Sequence, residues 1–195
     1  QTITVSDNIA PTFTDPADTK IIKATSCNYD AGVNITGDVT DEADNCSATL
    51  DATYTDTVVA GTCEGSFVIT RTWTLTDSCG NTAPEQTQTI TVSDNIAPTF
   101  TAPADIEIEC DQDPNDLTIT GDVTDENDNC STTLDATYTD TTASGSCANE
   151  SVITRTWTLA DDCGNTTTLI QTITISDNTA PDISSCNITN QSVDC

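Results

Sequence analysis

The sequence predicts an all-β chain built from antiparallel β-sandwiches repeated in tandem, and three features carry that prediction. Short runs of alternating apolar and polar residues, rich in Thr, Val and Ile, recur along the 195 residues with no helical period between them. The hexapeptide SDNIAP stands at 6–11 and 93–98, and returns as SDNTAP at 176–181. Ten cysteines sit in a chain that is only 35% hydrophobic and 4% aromatic, a composition that leaves each core thin and in need of cross-links.

Each hexapeptide closes an alternating run: QTITVSD at 1–7 and 88–94, QTITISD at 171–177. Such a run reads as the last strand of a domain. The Ala-Pro that follows ends it, because proline lacks a ladder donor and biases its predecessor to extended geometry. Asp7 to Asp94 is 87 residues and Asp94 to Asp177 is 83, an immunoglobulin-like domain length. We therefore expect residues 1–6 to be the last strand of a preceding repeat, 7–93 and 94–176 to be complete repeats, and 177–195 to open another. The chain reads as a window from a longer array, so the lack of a signal peptide carries no weight.

Within the first repeat, strands are expected at 19–25, 33–40, 49–56, 66–76 and 85–93; the second gives 105–110, 117–124, 133–140, 151–160 and 168–176. Short strands broken by Gly, Asn and Asp point to immunoglobulin-like sandwiches joined end to end. The stretch between the third strand and the tryptophan strand is too short for a nine-stranded variable-type domain. Trp73 and Trp157 lie in TRTWTL, in phase with Ile69 and Leu75 or Ile153 and Leu159, which places them on the inner face; an exposed ligand platform is the alternative. Arg71 and Arg155 share that parity and are the only arginines, so a structural ion pair or a stem lying on the Trp ring is expected. Residues 36–58 and 120–142 align without gaps and differ at three positions; one design is being reused for length.

The cysteines fall at 27, 46, 63 and 79, then at 110, 130, 147 and 163, with Cys186 and Cys195 beyond. Even counts at repeating spacings imply disulfides and an extracellular compartment. Zinc is disfavoured by the absence of histidine and of any CxxC pair. Running successive strands away from and back toward the N-terminal joint places Cys46, Cys79, Cys130 and Cys163 at the end facing the preceding domain, and Cys27, Cys63, Cys110 and Cys147 at the opposite end. The pairs expected are Cys27 with Cys63, Cys46 with Cys79, Cys110 with Cys147 and Cys130 with Cys163, one staple at each end of each domain.

Four Lys and Arg against 32 Asp and Glu give a formal charge of −28, which excludes nucleic acid and anionic membrane as natural partners. No run is long and apolar enough to span a membrane. The same loop placement gathers acidic segments at each joint. The first has Asp7 and Asn8, Asp41 and Asp44 of DEADNC, and Asp77 of DSCGN; the second has Asp94 and Asn95, Asp125 and Asp128 of DENDNC, and Asp161 of DDCGN. Histidine-free, oxygen-rich clusters suit Ca2+, one ion near each joint. The alternative is that Asp and Asn make Asx turns and stay solvated. DEADN lacks the glycine and closing glutamate of an EF-hand loop.

These residues also carry a resemblance. DNIAPTF is similar to part of the cadherin linker pattern, while GDVTDE and TRTWTLTDSCGNT resemble hyalin-type (HYR-like) repeats, and most of all the cysteine-containing repeats of giant SprB-like surface adhesins of gliding bacteria. The resemblance covers both repeats and the flanking fragments. It implies secretion by a type IX system, exposure on the cell surface and a role in adhesion. It also implies O-glycans on Asp-Thr signals, here DTV at 56–58 and DTT at 140–142, with Thr57 and Thr141 as acceptors; a plain turn is the alternative reading.

An enzyme is not expected, since the chain has no histidine and its carboxylates are spread over the joints, so no acid, base and nucleophile converge. The leading expectation is a structural spacer of a surface adhesin, whose partners are neighbouring repeats of the same chain. The runner-up is a module that binds polysaccharide or a protein directly, and a filament built by lateral contacts between copies is a third. Isopeptide cross-links are disfavoured because the only lysines are Lys20 and Lys23.

Overall fold

A computed structural model describes residues 1–145 and 150–180. The first repeat folds as β1 (Thr19–Ile22), a helical turn α1 (Val33–Thr36), β2 (Thr53–Ala60), β3 (Phe67–Thr74) and β4 (Gln86–Ser93). The second follows with β5 (Ile106–Glu109), α2 (Leu117–Thr120), β6 (Thr137–Ser144), β7 (Ser151–Ala160) and β8 (Thr166–Ser176). Each repeat owns one four-stranded sheet, ordered β1-β4-β3-β2 and β5-β8-β7-β6. The all-β expectation therefore holds.

Three features depart from the expected elements. The first strand of each sheet runs parallel to the last, Thr19 beside Ile90 and Ile106 beside Ile173, whereas β2 and β4 flank β3 in antiparallel register. The segments expected as strands at 33–40 and 117–124 open instead with one helical turn each. The turn ends at Gly37 (φ 93°) and Gly121 (φ 91°), where a Cβ would meet Pro16 at 3.0 Å or Pro103 at 2.8 Å. Only glycine accepts that backbone and that approach. Residues 1–11 form no strand, and Ile3 and Val5 are exposed; a strand needs a hydrogen-bonded neighbour, and among the described residues this segment has none.

The chain divides into two compact units. One comprises Gln1–Thr101, Thr124–Thr137 and Thr158–Thr168, and the other Ala102–Val123, Tyr138–Trp157 and Leu169–Cys195. The first contains two apolar clusters. Phe13, Val39, Ala52, Leu75 and Ala83 surround Trp73, and Ile21, Ile69, Ile90 and Val92 form the other. In the second unit Ile108, Ile153 and Ile173 make the core. Trp73, Trp157, Leu75 and Leu159 are essentially without solvent contact, as the alternation in TRTWTL requires.

Each repeat also buries an arginine. Arg71 lies 1% exposed and Arg155 0%. Arg71 donates from Nε and Nη2 to both Asp56 oxygens at 2.8 and 2.9 Å, from Nη1 to Thr36 Oγ1 at 2.7 Å, and from Nη2 to the Ala31 carbonyl at 2.7 Å. Its guanidinium lies 3.9 Å from the Tyr54 ring centroid. Hydrogen bonding to Asp56 pushes the Arg71 pKa above its ordinary value. Arg155 repeats the arrangement with Asp140, Thr120, the Pro114 carbonyl and Tyr138. The helical turn thus has a purpose in the packing, because it delivers Thr36 or Thr120 to the guanidinium. A charge this buried persists only with its fork filled.

Candidate functional site

The linker Asp begins each site. In the first joint Asp7 Oδ1 accepts from the Ile9 N–H at 3.1 Å, and in the second Asp94 Oδ1 accepts from Ile96 at 3.1 Å. These are Asx turns, local bonds that bend the chain ahead of the proline. Asp44 Oδ2 accepts from the N–H groups of Cys46 and Ser47 at 2.9 and 2.7 Å, and Asp128 Oδ2 from those of Cys130 and Ser131 at 2.8 Å each. Asp77 and Asp161 are held by Asn81 and Asn165, through the backbone at 2.8 Å and the side-chain amide at 2.7 Å.

These turns leave carboxylate oxygens over. Oδ2 of Asp7 and Asp94 and Oδ1 of Asp44 and Asp128 are shielded from solvent and have no hydrogen-bond partner. Asp7, Asp44 and Asp77 form one cluster and Asp94, Asp128 and Asp161 another, each with one oxygen per residue lying within 4.8 Å of the others. Three carboxylates gathered around orphaned oxygens repel one another in proportion to their burial, and a divalent cation relieves that repulsion. The donor set is all oxygen, which fits calcium and not a soft metal. The turn and the metal are thus not rivals: in Asp7, Asp44, Asp94 and Asp128 one oxygen shapes the backbone while the other remains available, whereas Asp77 and Asp161 have both oxygens engaged, Oδ2 by the side-chain amide of Asn81 or Asn165.

The remaining candidates take other roles or stay outside. Asp41 and Asp125 accept from the N–H of Thr14 and Thr101 at 2.9 Å each and clasp the segment after the proline to the acidic loop. Backbone donation from Thr14 holds the Asp41 carboxyl below the usual carboxylate range. The N–H groups of Cys46 and Ser47 do the same for Asp44, and the Asn81 amide for Asp77. Asn8 and Asn95 are exposed. Two asparagines went unassigned in the sequence. Asn129 donates from its side chain to Asp94 at 3.1 Å while its own Oδ1 is buried without a partner, and Asn165 reaches the Asp94 carbonyl at 3.4 Å. Their signal was the Asn of DNC and CGN, recurring at both joints.

The disulfides overturn the expected pairing. Cys27 is bonded to Cys130 and Cys63 to Cys163, spanning 103 and 100 residues. The pairs Cys27 with Cys63 and Cys130 with Cys163 are therefore wrong. So is Cys46 with Cys79, since both stand as exposed free thiols. Cys110 is likewise free, and its expected partner Cys147 lies outside the described residues. The physical reason is that cysteines at a domain end also face the next repeat. The loops holding Cys27 and Cys63 meet those holding Cys130 and Cys163 within one compact unit, so the staples join repeats and not strands of one repeat. Gly65 makes room: its φ is 77°, and a Cβ there would lie 3.0 Å from Cys130 Sγ and 3.2 Å from Cys27 Sγ. Beside it Glu64 accepts from the Thr132 N–H at 3.2 Å. Thr57 and Thr141 lie exposed on β2 and β6.

Residues 98–175, which include Cys110, Cys130, Cys147 and Cys163, match the HYR-like domain with 4 cysteines. No curated protein matches the chain. Among solved structures the chain is similar to human CDH23 EC21-23, at 14% identity and a TM-score of 0.38, over 86% of this chain and 70% of that one. It is also similar to the extracellular cadherin domains 3–6 of protocadherin gamma B2, at 15% identity and a TM-score of 0.37, over 89% of this chain and 53% of that one. Human protocadherin-24 EC1-2 aligns at 12% identity and a TM-score of 0.34, over 88% of this chain and all of the other. The chain thus spans about half to seven tenths of the first two. The family match falls on the second repeat, and both repeats have the same strand order in an all-β build.

Proposed function

We propose that these repeats are non-enzymatic structural spacers of a large secreted cell-surface adhesin, of the kind that serves gliding motility, with joints stiffened by calcium and disulfides. The observation that carries the reading is the acidic trio at each joint, with its shielded, unpartnered carboxylate oxygens. Asp94, Asp128 and Asp161 would hold one ion and Asp7, Asp44 and Asp77 another. The ion supplies only charge neutralisation and a fixed meeting point for the linker and two loops. Thr57 and Thr141, exposed on the outermost strands, are the proposed glycan acceptors.

Immobilised surface polysaccharide presented to the chain in calcium and in chelator tests the spacer role. A spacer gives no saturable binding in either condition, and saturable binding would instead establish a direct adhesive module. The lateral-contact reading draws on one feature, the unpaired outer edge of β2, where Val58 and Val59 are exposed. Sedimentation that remains monomeric at high concentration would remove it.

A further inference from the structure

The two joints present the same loops with different sulfur chemistry. Cys46 follows DEADN as Cys130 follows DENDN, and Cys79 lies in DSCGN as Cys163 lies in DDCGN. The backbone frames agree as well. Asp44 caps Cys46 and Ser47 as Asp128 caps Cys130 and Ser131. The Ser78 N–H donates to Ser47 Oγ at 3.4 Å, as Asp162 does to Ser131 Oγ at 3.3 Å. Yet Cys130 and Cys163 are bonded to the preceding repeat, while Cys46 and Cys79 are free and exposed.

We propose that Cys46 and Cys79 form a two-point covalent docking site for another domain of this type, one that offers cysteines placed like Cys27 and Cys63. The two thiols do not serve each other, because Cys130 and Cys163 sit in the same frame and each takes a partner from the repeat before it. The occupant must bring more than sulfur. It needs a glycine in the Gly65 position, where any side chain would strike both sulfurs, and a carboxylate in the Glu64 position to accept the N–H of Ala48, the counterpart of Thr132. The motif CEGS at 63–66 supplies both. Each bond joins two thiols and releases two protons and two electrons, which pass to a disulfide oxidant that becomes two thiols. In an extracytoplasmic compartment that oxidant is a thiol–disulfide oxidoreductase, and in solution oxidised glutathione serves. The proposal rests on the tandem-repeat reading and not on calcium, so the two fail separately.

The test extends the full chain with a second copy of residues 7–87 ahead of Gln1. Because 1–6 repeats 88–93 letter for letter, the addition rebuilds a whole repeat in register. After oxidation with oxidised glutathione, non-reducing peptide mapping is expected to join Cys46 to the added Cys27 and Cys79 to the added Cys63, with neither thiol left to alkylate. A Cys46–Cys79 bond overturns the proposal, as does either thiol remaining free. If the extended chain fails to fold, the original chain decides under the same oxidant. Mixed glutathione disulfides at both positions support docking, and an internal Cys46–Cys79 bond refutes it.

Discussion

At the second joint Asp94 is 6% exposed and Cys130 8%, whereas at the first Asp7 is half-buried and Cys46 open to solvent; Asp77 and Asp161 are buried alike, at 6% and 7%. The acidic loops are nearly the same sequence, DEADNCS against DENDNCS, and their internal hydrogen bonds agree to within about 0.1 Å for the Asp44 and Asp128 turns. The motif therefore builds the frame by itself. Cover and cross-link come from the loops after β1 and between β2 and β3 of the preceding repeat.

The largest effect should come from removing what the second joint alone has. Replacing Cys27 and Cys63 with serine opens cross-links spanning 103 and 100 residues, each contributing up to about 4 kcal/mol by chain entropy. Hydrogen exchange should then rise in 124–137 and 158–168. Cys46→Ser and Cys79→Ser should leave exchange and stability unchanged to within about 0.5 kcal/mol. Equal effects from the two pairs would erase the distinction between the joints.

A control lies in the interior, where the repeats do not differ. Asp56→Ala leaves Arg71 buried with half its fork empty, at a cost of about 3 kcal/mol, and Asp140→Ala should cost the same in the second repeat. Arg71→Met should cost less, because Asp56 keeps 29% of its surface in water. Urea unfolding of the three variants checks the order.

Acid gives a smaller, graded loss. Asp41, Asp44 and Asp77 have folded pKa values below their unfolded ones, held there by N–H donors, and hydroxyl and N–H donation from Thr101 does the same for Asp125. Their stabilisation is full above the unfolded carboxylate value of about 3.9 and is lost as pH falls through the folded values. In chelator, the melting temperature should stay level from neutrality to about pH 5 and drop below about pH 4. A rise on acidification would mean that carboxylate repulsion dominates these turns.

Much of this was legible in the sequence. The alternation through Ile69, Arg71, Trp73 and Leu75 names the buried face of β3, and the recurrence of Asp at linker and loops points to both acidic trios. What escaped had physical reasons. The turns at Val33–Thr36 and Leu117–Thr120 are about one helical period long, too short for any periodic signal. Strand order assigns each cysteine to a loop, but spacing does not say whether a sulfur at a domain end looks inward or toward its neighbour. Gly65 held the clue, a glycine beside Cys63 in a turn where the backbone must pass close to sulfur.

Calorimetric titration of the chain with calcium decides whether the joints are cation sites. Saturable binding is expected, tighter at the second joint, where Asp94 is buried, than at the first, where Asp7 is half-buried. Asp94→Asn with Asp128→Asn should remove the tighter phase, along with about 2.7 kcal/mol of stabilisation at calcium one hundred times its dissociation constant. No saturable heat, with melting curves that coincide in calcium and in chelator, would contradict it.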